Sequence, residues 1–316
     1  MMPAVPMRDA LLSKIHERMA TRDDIFFVTA DFGSPVLDKI RKDYPGRYVN
    51  VGIAEQNLIN VSAGLAIEGF VVYAYAIAPF LTMRAYEQIR NNLVLLSSAR
   101  EMNVNLIGVG AGLSYGISGP THHCLEDIAA MRIFPGMTVC SVADHVAAAA
   151  FADFSLETHG CKYVRLDAKV LPCLHTTESV IDFEKGFSCL RKGERACFVA
   201  TGYMTHTALA ACETLRQEGV ACGVIDMLNL STCDTAALAW VLRGYSAVVV
   251  AEEGFAGCGG LDSLVYRVLS ESGNAASVRT CSFERGYATD LGSREELHDR
   301  HGLGLRALCA AVKDSR

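Results

Sequence analysis

The chain is poor in several features that would have pointed to other classes of protein. Although 51% of its 316 residues are hydrophobic, no stretch approaches the roughly 20 uninterrupted apolar residues of a membrane span. It has no basic run and carries a formal net charge of −6, which argues against nucleic acid as the main partner. Its opening, MMPAVPMRDALLSKIHERMATRDD, has no unbroken apolar core followed by a small-residue cleavage site. That stretch reads as a short amphipathic helix, and the cytoplasm is the expected location. The 12 cysteines contain no C-x-x-C pair and fall mostly inside apolar runs, which predicts buried reduced thiols, with no nucleophilic role for Cys124 or Cys258. The glycine-rich stretch GVGAGLSY (108–115) has neither the GxGxxG nor the lysine-bearing Walker spacing, so a nucleotide loop is not expected. A loop that closely approaches a ligand is the better reading. His122 and His123 are expected to open a helix, where neighbours point in different directions, and no cysteine or acid stands at ligand spacing; no metal site is expected.

What is present reads as an α/β chain. A length of 316 residues is enough for two domains, each with its own core. Apolar runs near 25–30, 48–51, 70–75, 104–109, 137–141 and 162–166 lack the alternation of a half-exposed sheet, as expected for parallel strands covered on both faces. They alternate with predicted helices near 34–43, 55–68, 79–98 and 144–157. A second alternation follows, with strands near 196–201, 221–227, 246–251 and 278–282. Two consecutive, mainly parallel-sheet α/β domains are therefore expected, over 1–172 and 195–316, joined by an irregular linker over 173–194.

The first domain centres on Val49-Asn50-Val51-Gly52-Ile53-Ala54-Glu55-Gln56-Asn57: a short strand, a glycine, then an acid in the first helical turn. Ligands of open α/β sheets bind outside the carboxyl ends of the strands, which is where this places Glu55. An acid in a first turn is also favoured by the helix dipole alone, so the spacing leaves both readings open.

GIAEQN is followed in order by RAYEQIR (84–90), GPTHH (119–123), LED with FPGMTV (125–139), and VVVAEEGFAGCGGL (248–261). This series resembles the pyrimidine-binding half and the C-terminal domain of transketolases and of the related deoxyxylulose-phosphate synthases, over about residues 25–310. The resemblance implies a thiamine diphosphate enzyme of the transferase class that moves aldehyde or ketone residues. It implies that Glu55 hydrogen-bonds N1′ of the cofactor's aminopyrimidine and so lets the cofactor's own amino group act as base. Phe80 matches an aromatic that packs on that ring, and Ile77 stands where the family often has a second aromatic. Ile53 and Asp31 are expected beside the same ring. His122 and Arg165 match residues that hold the hydroxyls or phosphate of the sugar; for Arg165 a surface ion pair with Asp167 is the alternative. Arg84, Tyr86 and Gln88 match the family pattern in a structural or interface role.

The family's GDG motif, which holds the diphosphate and a magnesium or calcium ion, is not found. The chain therefore looks like the second subunit of a split transketolase, active with a GDG-bearing partner in an α2β2 heterotetramer and holding no metal itself. A 2-oxoacid dehydrogenase E1 β subunit and an inactive scaffold paralogue are the alternatives. Ser118 stands where transketolases usually carry an aspartate and Gly110 where they usually carry a histidine, so two-carbon ketol transfer to an acceptor other than the ordinary pentose phosphates is expected.

Overall fold

The computed structural model describes residues 4–176 and 179–315. Residues 1–3, at the start of the expected first domain, 177–178 in the expected linker, and 316 lie outside the described residues. Two compact units form: one comprises residues up to 111 with 133–181, the other 112–132 with 182 onward.

In the first unit six strands make a wholly parallel sheet in the order β2-β1-β3-β4-β6-β5. They are β1 (Ile25–Thr29), β2 (Tyr48–Asn50), β3 (Val71–Ile77), β4 (Asn103–Val109), β5 (Thr138–Ser141) and β6 (Gly160–Leu166). All seven residues of β4 and the first six of β3 are buried, as the lack of alternation predicts for a sheet covered on both faces. The Pro35–Asp43 helix starts where proline supplies a preset φ and Ser34 Oγ accepts the Leu37 amide at 3.1 Å. The expected single helix over 79–98 is instead broken: π-helical turns over Phe80–Arg84 and Ile89–Leu95 flank a short α-helical piece, Tyr86–Gln88.

Asp144 ties the end of this unit together. Its carboxylate, with no exposure to solvent, accepts the Ala147 amide (2.9 Å) and so caps the His145–Glu157 helix. It also accepts the amides of Leu174 (2.7 Å) and His175 (2.6 Å) and faces His175 Nδ1 at 3.2 Å. One acid thus anchors the stretch that follows β6.

The second unit is built on a five-stranded sheet in the order β11-β10-β8-β9-β7, parallel except for β7 against β9. The strands are β7 (Phe187–Arg191), β8 (Ala196–Ala200), β9 (Cys222–Met227), β10 (Ala247–Phe255) and β11 (Ser277–Phe283). β7 lies inside the expected linker, which is therefore shorter than 173–194. As an edge strand with only Phe187 fully buried, it carries little of the apolar signal that marks a central strand. The stretch 112–132, expected in the first domain, belongs to this unit because Leu113 and Leu125 are buried in its core with Phe198, Val249 and Leu297.

The AEEGF run ends β10 in an irregularity, where pairing with β11 shifts between Ala251 and Phe255. Glu252 turns to the N-terminus of the Leu261–Glu271 helix and accepts the amides of Leu261 (2.8 Å) and Asp262 (3.0 Å). Glu253, also buried, accepts from Arg294 Nε (2.7 Å), Arg294 Nη2, His298 Nε2 (2.7 Å) and the Leu113 amide (3.3 Å). Arg294 is stacked 3.8 Å over the Tyr203 ring. Gly112, at φ +56, has no room for a side chain, because a Cβ there would stand 2.0 Å from Glu253 Oε2. Packing rather than ligand approach accounts for that glycine. Nine of the 12 cysteines are buried, and all are free.

Burial would push the Asp144 carboxyl up, but its hydrogen bonds from His175 and Ala147 outweigh this and hold it well below the usual carboxylate range. The unfolded chain then binds more protons than the folded one as pH falls below about 4, so stability is lost in acid. We expect Asp144→Ala to cost about 3 kcal/mol at pH 7 by urea denaturation. The gap between wild type and variant should narrow as pH is lowered from 4 toward 2.

Candidate active site

The chain runs from β1 to β2 on one side and then crosses to β3 on the other, so the strand order changes direction between β1 and β3. The carboxyl ends flanking such a switch are where open α/β sheets receive ligands. Asp31 follows β1, Ile77 is the last residue of β3, and Phe80 comes three residues later.

The turn after β2 is shaped by Asn50. Its Oδ1 accepts the amides of Asp31 (3.1 Å) and Gly52 (2.9 Å), while its Nδ2 donates to Asp31 Oδ1 (2.9 Å). Asp31 has φ 55, the sole positive value at a non-glycine among the described residues. Aspartate tolerates this region better than most residues, and the two bonds to Asn50 hold it there. Gly52 takes φ +76 and turns the chain, so that the Glu55–Ile67 helix begins at once. Glu55 is thereby buried in the first turn, 3% exposed.

Glu55 Oε2 accepts from Arg84 Nη1 at 2.5 Å, and the Arg84 guanidinium lies over the Phe80 ring, 5.3 Å from its centroid. A buried acid and a half-buried aromatic therefore address one planar group. Arg84 closes the π-helical turn Phe80–Arg84, a geometry that often accompanies functional sites. Ile77 is half-buried, whereas Ile53 is 76% exposed and Asp31 is exposed. The structure brings Glu55 and Phe80 together through Arg84 and gives Asp31 to Asn50.

Gly110, also in the first unit, is buried at φ 104 and donates its amide to Leu166 O at 2.9 Å. Arg165 stands on β6 between Gly108 of β4 and Ser141 of β5. Arg165 and Asp167 are each 3% exposed, so a surface ion pair does not describe them.

His122 and Ser118 lie in the second unit. The two histidines do not open a helix as expected, since the helix begins at Asp127. Gly119 at φ 78 turns the chain, the His122 amide closes that turn on Gly119 O (3.0 Å), and Cys124 then pairs with Gly112, so no helix forms at the two histidines. His123 is buried with Nε2 3.3 Å from Gly116 O, and burial lowers its pKa. His122 is half-buried, with Nδ1 3.0 Å from Thr121 Oγ1 and its ring edge-on to Tyr115. Ser118 is exposed at the end of the Gly116–Ser118 turn. Among the described residues no group of three or more His, Cys, Asp or Glu could hold a metal ion, and no helix is long and apolar enough to cross a membrane.

The sequence alone does not single out Asn50 and gives Arg84 only a structural or interface role. For Asn50 a signal exists, an asparagine two residues before a glycine at a strand end, the composition of an Asx turn. The contact of Arg84 with Glu55 spans 29 positions and leaves no local trace.

An acid at a switch point of a parallel sheet, beside an aromatic and ahead of a second α/β unit, marks an open-sheet α/β protein with a candidate ligand site at its strand ends. Residues 3–172 match the transketolase pyrimidine-binding domain and 187–307 the transketolase C-terminal domain, so the chain belongs to the transketolase family. It is similar to an apulose-4-phosphate transketolase subunit of Actinobacillus succinogenes, 33% identical over 89% of this chain and 88% of that one. It is also similar to 6-deoxy-6-sulfo-D-fructose transketolase subunit SqwH of Clostridium sp., 28% identical over 98% and 94%. A split gene transketolase solved as an inactive beta4 tetramer superposes with a TM-score of 0.86 at 32% identity, over 99% of this chain and 98% of that one. The transketolase of Pichia stipitis shares the fold at TM-score 0.80 and 20% identity, with 46% of that chain covered. The chain is thus a transketolase-like subunit, and these matches do not favour an E1 β subunit.

The Asn50 bridge yields a prediction about the turn that presents Glu55. Asn50→Ala should cost about 1 to 2 kcal/mol, since it removes acceptors from two amides. Amide exchange at Asp31 and Gly52 should quicken before that of the β3 and β4 core. Unchanged exchange at both amides would show that the backbone holds the turn unaided.

Proposed function

We propose that this chain is the second subunit of a split transketolase. With a partner bearing the GDG motif, it transfers a two-carbon ketol unit from a ketose or ketose phosphate to an aldehyde or aldose acceptor. The observation that carries the reading is the buried Glu55 carboxylate set beside Phe80, with one planar group between them. That pair suits an aminopyrimidine, a flat ring with one edge nitrogen to protonate and a face to cover.

When bound, thiamine diphosphate supplies the carbon centre that carries the two-carbon unit. Glu55 holds the proton at N1′, and its burial keeps water from competing for it. Phe80 covers the ring face, while Ile77, Ile53 and Asp31 border the site from the strand ends and the turn. Arg165 suits an anionic end of the substrate, since its planar fork binds a phosphate in two places, and His122 suits a hydroxyl or phosphate oxygen. Each of these two roles rests on its own unit.

The partner is proposed to bring the diphosphate site with its magnesium or calcium ion, in an α2β2 assembly located in the cytoplasm. Similarity over nearly full length to proteins named as transketolase subunits, and to a split gene transketolase, supports this division of labour.

Two experiments test the reading. In the complex purified through a tag on this chain, Glu55→Gln should leave assembly intact and reduce turnover about 10²- to 10⁴-fold, because an amide cannot exchange the proton. Hydrogen–deuterium exchange at C2 of bound thiamine diphosphate should slow in parallel. Normal exchange and turnover would reduce Glu55 to a helix-start residue. Separately, the complex should prefer some other aldehyde or activated sugar over ribose 5-phosphate when xylulose 5-phosphate or another ketose is donor. If ribose 5-phosphate proved the best acceptor in a broad panel, Ser118 and Gly110 would carry no change of specificity.

A further inference from the structure

Arg84 touches both halves of the proposed ring site. Its guanidinium is flat, donates Nη1 to Glu55 Oε2 at 2.5 Å, and lies over the Phe80 ring with Cζ 5.3 Å from the centroid. A protonated aminopyrimidine would make the same two contacts: an N–H to the carboxylate and a face on the ring. A given face of Phe80 can be covered by one planar group at a time.

The two partners are held very differently. Glu55 is 3% exposed and fixed in a helix, while the Arg84 side chain is 48% exposed and can be hydrated when it leaves. An ion pair with one end in water is weak, so its loss costs little once another donor meets the carboxylate. The movement needs only rotation about the arginine's own side-chain bonds, toward the solvent in which half of the side chain already lies. Without any donor, Glu55 would be a buried, unpaired charge, which proteins avoid at considerable cost.

We propose that Arg84 occupies the place of the aminopyrimidine on Glu55 in the unloaded chain and withdraws when the cofactor docks, so that it sets the affinity of the site for the ring. This rests on the thiamine diphosphate reading above. Arg84 then acts as a competitor for the acid, which differs from a residue that stays to support the ring or serves only at an interface.

The test is calorimetric binding of thiamine diphosphate to the tagged complex, wild type against Arg84→Met and Arg84→Lys. The methionine retains bulk and helix propensity and removes the donors, and co-purification of the partner with each tagged variant checks that the fold survives the loss of the counter-charge. Arg84→Met should bind the cofactor about two- to tenfold more tightly, with Arg84→Lys in between. In a Glu55→Gln background, where the acid no longer carries charge, the same change should have a much smaller effect. Unchanged or weaker binding by Arg84→Met in an intact complex would overturn the proposal and make Arg84 a positioning residue. If the wild-type complex itself failed to bind thiamine diphosphate, the functional reading would fall first and the proposal with it.

Discussion

A carboxylate taken out of water must be met by donors or by an opposite charge, and the arrangement of this molecule turns on three that are nearly fully buried. Asp144 is met by three backbone amides and an imidazole, none of which can leave without unfolding the stretch after β6. Glu253 is met by a buried arginine, a buried histidine and a backbone amide, and the arginine is clamped on Tyr203. Glu55 is met by a guanidinium that is half in solvent. The first two acids are closed into the fold, whereas the third has a counter-charge that another donor can replace. That difference in how the charge is satisfied separates the two folding residues from the proposed site residue more sharply than burial does, since all three are 4% exposed or less.

The same logic explains the AEEGFAGCGGL stretch, the most family-like run in the second half of the chain. It contains two acids and an exposed cysteine, which on composition alone could be taken for a reactive centre. In the structure Glu252 serves the N-terminus of the Leu261–Glu271 helix, and Gly260 must be a glycine because a Cβ there would stand 2.5 Å from Glu252 Oε2. Glu253 fastens the Arg294–Arg300 helix and the 112–132 stretch to β10. The run records how the end of an inner strand, two helices and the 112–132 stretch are joined, a folding constraint written in acidic residues and glycines.

Much of this is legible in the sequence wherever the information is local. Continuous apolar runs locate ten of the 11 strands among the described residues, and the strand-glycine-acid order places Glu55 at the head of its helix. What escapes is nonlocal or ambiguous. β7 is an edge strand with mixed burial, and nothing in FSCLR distinguishes it from an ordinary loop. The 79–98 stretch reads as one helix, because hydrophobic spacing does not register the difference between α- and π-helical turns. The allegiance of 112–132 to the second unit depends on where Leu113 and Leu125 find their core, and the histidines lose their helix to a backbone bridge. The residues of the proposed ring site divide in the same way: the acid and the aromatic can be read for that role, while the arginine between them is read only as structural or interfacial.

Among the described residues the one non-glycine with positive φ is Asp31, at the carboxyl end of β1 and beside the switch in strand order. Such a conformation costs of order 1 to 3 kcal/mol and persists only where neighbours over-determine it. Here Asn50 supplies the determination, and the same side chain also receives the amide of Gly52, which sets the approach to Glu55. The ends of β1 and β2 are therefore coupled through one amide side chain, and the direction in which Glu55 is presented depends on it. The elements that hold the proposed ring are the first turn of the Glu55–Ile67 helix, the Phe80–Arg84 turn and the tightly bonded turn after β2, whereas Ser118 sits exposed at the end of a short 3-10 turn. Chemistry common to a family belongs on the first kind of element and substrate preference on the second, because a loop residue can change without moving the acid.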